Sequence, residues 1–342
     1  MRLNRREMLA AAAGIAVARS LTVAAPTEAR VGLGIVIHSY GARRFGDAAA
    51  FLDHCASIGA AGIQTSLGNR PADAAVLRDK AAKHGMYLEG IASLPRDGND
   101  VSRFATQLQT AKEAGATVVR TVCLSGRRYE TFTTAEQYRD FAKRSWESLK
   151  LAEPVAAKHD VKLAVENHKD WRVDELLDLL RRLSSRHVGV TLDTGNSIAL
   201  LEDPMEVIKA YAPVTFTTHF KDMGVAEYDG GFLLSEVPFG EGILDLKEAV
   251  SLIRRARPEV RINLEMMTRD PLKVPCLTRK YWATFETLPG RYLADTLAMV
   301  RAKKFPRPLP TVRQLDRAEQ TRVEEENVRK CLRYARESLA LL

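Results

Sequence analysis

Cysteine is scarce in this chain, and its placement excludes a thiolate zinc site. The four residues Cys55, Cys123, Cys276 and Cys331 contain no CxxC spacing among 342 residues. Cys55 and Cys123 sit in apolar stretches and are expected to be buried thiols. Cys276 and Cys331 are the more plausible pair if an oxidising compartment permits a disulfide. A sustained apolar run is also lacking: the most apolar stretch, near the N-terminus, is interrupted by Arg19, so no stable membrane span is expected. No GxGxxG follows the first strand candidate, because "VGLGIVIHSYG" keeps its glycines inside the strand, which argues against an open dinucleotide-binding sheet. Charge of one sign is not concentrated. The net charge of +8 is spread along the chain and mixed with Asp and Glu, so a nucleic-acid partner is not expected. With 46% hydrophobic and 27% charged residues, the chain has the material for a large core.

The first 29 residues form a unit of their own. "MRLNRREMLAAAAGIAVARSLTVAAPTEA" places Arg5 and Arg6 before Met8, Leu9 and a run of small apolar residues, with Ala24, Ala25 and Ala29 in a cleavage-like region. That order is the layout of a twin-arginine secretory signal, so the twin-arginine export machinery is an expected partner and the periplasm the expected location.

Beyond the signal, short apolar runs alternate with amphipathic ones. Eight strand candidates can be counted: 31–40, 61–67, 87–95, 117–126, 162–168, 188–196, 214–222 and 261–268, with helical patterns between them, several closed by Gly. Strict alternation implies right-handed crossovers and a parallel sheet covered on both faces. Eight units predict an α/β fold, a (β/α)8 TIM barrel over residues 30–268, with residues 269–342 as a C-terminal loop and helical extension that packs on the barrel or on a second subunit of a homo-oligomer.

In such a barrel, chemistry gathers at the C-terminal ends of the strands. Strand five ends in Glu166 and His168 ("KLAVENH"), strand six in Asp193 and Asn196 ("VGVTLDTGN"), strand seven in His219, Lys221 and Asp222 ("VTFTTHFKD"), and strand eight in Glu265 ("RINLEMMT"). Three carboxylates and one imidazole at one mouth would be costly to bury unpaired, and a single cation would satisfy them together. Oxygen donors with one nitrogen and no thiolate suit Mn²⁺ first, with Mg²⁺, Co²⁺ or Zn²⁺ as alternatives. A cation that chelates two neighbouring sugar oxygens acidifies the C–H beside a carbonyl and stabilises an enediolate.

The motifs "AVENH", "LDTGN", "THFKD" and "NLEM", in this order and with "FGEGILDL" (239–246) between the last two, resemble the xylose isomerase-like barrel superfamily of sugar isomerases and epimerases. The resemblance implies Glu166, Asp193, His219 and Glu265 as metal ligands, and Glu166 and Glu265 as proton-exchanging groups on opposite faces of a bound carbohydrate. It also exposes departures. Asn196 stands where ketose epimerases carry a His, Arg172 where they carry a Glu, and Val225 where an Arg is expected. The expected function is therefore a divalent-metal-dependent sugar isomerase or epimerase. The alternatives are a metal-dependent lyase or dehydratase on a keto-sugar or 3-keto-glycoside and, from another class, a noncatalytic periplasmic sugar-binding barrel.

In these readings His168 is the further candidate acid or base, and Lys221 either neutralises an enolate or holds a hydroxyl; paired with Asp222 or Glu241, it would instead be structural. His38, Asn196 and Lys221 are the expected substrate contacts. A three-zinc DNA-repair endonuclease of the same superfamily would need more histidines than the seven present, and strands two and three end without ligands. Tyr40, Phe220, Tyr228, Phe232 and Phe239 are candidate platforms for a sugar ring, while Trp146 and Trp171 are expected to pack helices. The long segments 223–242 and 268–290 are the expected walls of the pocket.

Overall fold

Each of the eight apolar runs is a strand in the computed structural model, which describes residues 32–341. The expected signal at 1–29 lies outside the described residues. Strands β1 (Leu33–Val36), β2 (Gly62–Thr65), β3 (Tyr87–Ile91), β4 (Val118–Thr121), β5 (Lys162–Glu166), β6 (Val188–Asp193) and β7 (Thr215–His219) pair in parallel in sequence order. An antiparallel hairpin follows, β8 (Asp222–Tyr228) and β9 (Gly231–Val237), and the eighth barrel strand is β10 (Ile262–Leu264), paired with β1. The ring closes between β7 and β10 through Phe220 N donating to Asn263 O at 2.7 Å and Glu265 N donating to Phe220 O at 3.0 Å.

The outer helices are α1 (Ala48–Ser57), α2 (Pro71–His84), α3 (Val101–Glu113), the short α4 (Arg128–Thr131), α5 (Ala135–His159), α6 (Val173–Leu183), α7 (Pro204–Tyr211) and α8 (Leu246–Ala256). Their limits follow local chemistry. Asp47 and Thr134 cap α1 and α5 by accepting from Ala50 N and Gln137 N, and α2 starts on Pro71 and stops at Gly85 with φ of 64°. Beyond β10 come β11 (Leu272–Val274), α9 (Arg279–Trp282), α10 (Arg291–Ala302) and α11 (Arg317–Leu339), the last opened by an Asp316–Glu319 capping box.

The C-terminal extension packs on the barrel. Glu324 of α11 accepts from the backbone N–H groups of Gly41, Ala42 and Arg43 at 2.7–2.8 Å, and Glu325 pairs with His54 of α1 at 3.0 Å. One face of α11 therefore fixes the loop that follows β1, at the mouth of the barrel.

Two sequence expectations change here. The segment 223–242 is largely the β8–β9 hairpin, which forms a second sheet with β11 beside the barrel. Gly231 is required at its turn: its φ is 148°, and a Cβ would lie 2.2 Å from Val274 O. All four cysteines are free thiols, with Cys55, Cys276 and Cys331 buried and Cys123 half-buried, so the structure contains no Cys276–Cys331 pair. Among the described residues, no helix is long and apolar enough to cross a membrane.

Candidate metal centre

The side-chain period of two on each strand fills the barrel interior in layers. Val118, Ala164 and Phe216 form an apolar floor. Two residues along β4 and β5, the same faces present Arg120 and Glu166; β6 continues from Thr191 to Asp193, and β10 leads from Asn263 to Glu265. Below that upper ring, buried Glu89 accepts from Gln64 Nε2 at 3.0 Å, Thr217 Oγ1 at 2.6 Å and Asn263 Nδ2 at 2.9 Å.

Glu166, Asp193, His219 and Glu265 converge at the mouth. Each offers one ligand atom within 4.8 Å of the others, and all four side chains are buried. His219 shows why this set fits a cation. Because Gln64 spends its amide N–H on Glu89, its Oε1 must accept from His219 Nε2, at 2.6 Å. The Nδ1 atom is then left without a hydrogen-bond partner, 3.3 Å from Glu166 Oε2 and 3.2 Å from Glu265 Oε1. A bare lone pair facing two carboxylates is repulsive, and either a proton or a divalent cation relieves it. Burial alone would lower the imidazole's proton affinity, but the Glu265 and Glu166 carboxylates outweigh it and raise the pKa to about 9.

Cationic side chains brace the carboxylates. Arg120 Nε donates to Glu166 Oε2 at 2.6 Å, Arg120 Nη2 donates to the same oxygen, and Asn196 Nδ2 donates to Glu166 Oε1 at 3.1 Å. Against the upward push of burial, the Arg120 guanidinium and then His219 hold Glu166 well below the usual carboxylate range. Lys221 Nζ lies 2.8 Å from Asp193 Oδ2, donates to Glu265 Oε2 and is 3.9 Å from Glu236 Oε1. Burial opposes its charge, yet the Asp193 and Glu265 carboxylates raise its pKa.

Lys221 therefore pairs with neither Asp222 nor Glu241. Asp222 instead accepts from four backbone N–H groups, those of Met223, Gly240, Gly242 and Leu244, and Glu241 pairs with Arg307.

The centre opens into a cavity of about 380 Å³ lined by His38, His168, Asn196, Lys221 and Glu265 together with Arg120, Arg127, Lys169 and Arg269. His38 Nδ1 lies 3.1 Å from Glu265 Oε1. His168 Nδ1 donates to Leu124 O at 3.0 Å, leaving Nε2 as the ring atom available for proton transfer. Burial pulls the His168 pKa down to about 4, so its ring is neutral at pH 7.

The lining contains no Trp, Tyr or Phe. Tyr40, Phe220, Phe232 and Phe239 are buried in the core, and Tyr228 lies outside the cavity, so none is a sugar platform. Trp171 packs against Phe141 and Tyr138, with ring centroids 5.0 and 5.8 Å apart. Arg172 donates to Leu200 O and Val225 is buried in the hairpin, so the site's extra positive charges come from elsewhere.

Those charges are what the sequence reading missed. Arg120 interrupts the apolar run "TVVRTV", which was its visible signal. Arg269 Nη2 pairs at 2.5 Å with Glu236, which the hairpin delivers to the site. Lys169 donates to Asn196 Oδ1.

Comparison with known proteins agrees with this architecture. The family model described as Xylose isomerase-like TIM barrel matches residues 52–288. A curated relative, 3-oxo-isoapionate decarboxylase of Pectobacterium atrosepticum, is 26% identical over 187 residues, which cover 54% of this chain. The match spans 62% of the length of that relative.

Among solved structures, a xylose isomerase-like TIM barrel protein from Mycobacterium smegmatis in complex with magnesium aligns with a TM-score of 0.55 at 16% identity, over 78% of this chain and 97% of its own. The D-psicose 3-epimerase of Clostridium cellulolyticum with D-tagatose aligns with a TM-score of 0.56 at 14% identity, over 79% and 97%. At these identities the structural likeness is one of fold.

Proposed function

The chain belongs to the xylose isomerase-like TIM barrel family, and from that premise we propose that it is a divalent-metal-dependent enzyme that turns over a keto sugar through an enediolate. The observation that carries this reading is the convergence of Glu166, Asp193, His219 and Glu265 within 4.8 Å of one another beside a cavity that Glu265 lines, with His219 Nδ1 unpartnered. Glu166, Asp193, His219 and Glu265 would hold a divalent cation, which would supply Lewis acidity toward substrate oxygens. Mn²⁺ suits the donor set, and Mg²⁺, Co²⁺ and Zn²⁺ are compatible with it.

The side chains then divide the remaining work. Neutral His168 is set to take a proton at Nε2 from the carbon beside the carbonyl. His38 and Lys221 crowd Glu265 and offer hydrogen bonds to substrate oxygens.

Two fates are open to the enediolate. In an isomerase or epimerase, a proton returns to carbon from a second group, with Glu166 and Glu265 on opposite faces. In a lyase, the electron pair expels a substituent from the next carbon, and one base suffices. Glu166 favours the lyase: Arg120 and Asn196 engage both of its oxygens, which lowers its value as a base. The likeness to a decarboxylase is compatible with a lyase: loss of CO₂ from a 3-oxo acid breaks the bond between the carboxyl carbon and the carbon beside the carbonyl, with no C–H proton removed first, and leaves the electron pair as an enolate that takes a proton from solvent on that carbon.

Proton NMR in D₂O tests the reading, using metal-reconstituted protein with free ketoses, 3-keto-glycosides and 3-oxo sugar acids, and Glu265→Gln as control. Loss of a substituent or CO₂ supports the lyase, whereas deuterium incorporation with appearance of an epimer supports the isomerase/epimerase. Tight metal binding without turnover of any substrate would leave a sugar-binding barrel.

We further propose export to the periplasm, supported by Arg5 and Arg6 in the N-terminal sequence. Retention in the cytoplasm of the unaltered chain, with no change on Arg5→Lys/Arg6→Lys, would refute it.

A further inference from the structure

We infer that the substrate of this site is a sugar acid, whose carboxylate is seated on the ammonium group of Lys169 with the Arg269 guanidinium beside it. The inference rests on the keto-sugar reading above and narrows it to a substrate class.

Charge matching around the cavity singles out Lys169. Arg120 has Glu166, Lys221 has Asp193 and Glu265, and Arg269 has Glu236. Lys169 is just as deeply buried, 3% exposed, yet forms no ion pair among the described residues, and its Nζ meets only the neutral Asn196 Oδ1. A buried ammonium without a counter-ion is costly unless a ligand brings one. Burial, then the neighbouring Lys221 and Arg269 charges, pull its pKa down to about 8 against the smaller opposing effect of the Glu236 and Asp193 carboxylates. That is the same repulsion seen from the proton's side.

The backbone holds this arrangement in place. Lys169 has φ of 52°, a left-handed conformation that a non-glycine residue rarely adopts and that structure elsewhere must hold. Two contacts hold it: Arg128 N donates to Lys169 O at 3.0 Å, and His168 N donates to Asp170 Oδ1 at 3.0 Å. The side chain is thereby turned toward the cavity and Asn196 rather than left to find solvent.

A neutral ketose would leave this charge unmatched. The lining has no aromatic ring on which a neutral sugar would stack, and it presents five Arg and Lys side chains against one carboxylate, Glu265. Four of those five already have carboxylate partners, Arg127 with Glu130 on the rim, which leaves Lys169 as the lining cation free to take a ligand's anion.

Calorimetric titration of the Mn²⁺-loaded protein with 5-keto-D-gluconate, D-fructose and D-fructose 6-phosphate tests the inference. The expected result is at least tenfold tighter binding of the keto acid than of D-fructose, a ratio that collapses toward one in Lys169→Met and persists in Lys169→Arg. Equal affinity for the acid and the neutral sugar, a ratio retained in Lys169→Met, preference for the phosphate, or no binding of the acid would each overturn it.

Thermal unfolding separates a structural role, because a lysine needed only to hold Asn196 would give a less stable Lys169→Met that loses both sugars in proportion. Metal affinity and turnover of the keto-sugar panel in D₂O read the keto-sugar proposal independently, so a failure of the carboxylate seat is distinguishable from a failure of that proposal.

Discussion

His219 on β7 and Gln64 on β2 are joined across the barrel interior: the ring Nε2 donates to Gln64 Oε1 at 2.6 Å, while Gln64 Nε2 donates to Glu89 at 3.0 Å. This relay selects one tautomer of His219 and aims its Nδ1 at the carboxylates. Residues that orient a ligand in this way contribute to metal affinity without touching the ion.

Gln64→Met, which keeps the volume but removes the acceptor, is expected to weaken Mn²⁺ binding by about 10–100-fold. Calorimetry of the chelator-treated protein checks this. A variant that merely lost stability, with its metal affinity intact, would show that the relay is structural only.

The pH dependence of stability follows from the same imidazole. Its pKa rises to about 9 because Glu265 and Glu166 outweigh the opposing effect of burial. A group raised above its unfolded value of about 6.5 stabilises the fold fully below that pH, and the contribution is lost as pH climbs through the folded value. Urea unfolding in EDTA is thus expected to show a loss on the order of 3 kcal/mol between about pH 6.5 and 9. With Mn²⁺ bound to Nδ1 in place of the proton, this component of the slope should vanish. Metal binding near pH 7.5 should release about one proton, read from titrations in buffers of different ionisation enthalpy. A flat metal-free profile would contradict the charged imidazole.

The parts of this site that were legible in the sequence are those with a local signature. An apolar run that stops on a carboxylate or imidazole, as at Glu166, Asp193, His219 and Glu265, marks a strand end at the barrel mouth whatever its neighbours do. Lys169 and Arg269 carry no such mark, because a basic residue near a strand end is also what a solvated loop looks like, and Arg120 shows only as an interruption of an apolar run. Only barrel closure shows that Lys169 is buried and forms no ion pair among the described residues.

The hairpin was missed for a related reason. "GFLLSEV" (231–237) is a strand after a tight Asp229–Gly230 connection, but it lies within a segment whose glycines and polar residues also fit a wall loop. Its consequence, Glu236 between Arg269 and Lys221, depends on how the second sheet docks on the barrel. The aromatic residues followed ordinary burial: Phe220 and Phe239 meet edge to face at 5.6 Å, and Phe239 packs against Tyr334 of α11 at 6.4 Å, so these rings cover core rather than substrate.

His168 separates proton transfer from metal binding, because its ring is fixed by Leu124 O and it is not among the four converging ligand residues. His168→Asn retains a donor for that carbonyl but removes Nε2. The expected outcome is a fall in kcat of about 10²–10⁴-fold with Mn²⁺ affinity unchanged within about twofold. The sign of the pH effect is also set: with its pKa pulled down to about 4 by burial, His168 is an effective base above that pH and loses this capacity as pH falls through it. The wild-type rate should therefore hold down to mildly acidic pH, and the low-pH limb assigned to His168 should disappear from the residual activity of the variant. If metal affinity fell together with kcat, His168 would be a positioning residue for the centre. An unchanged kcat would move the base to Glu265, the remaining carboxylate of the cluster that lines the cavity.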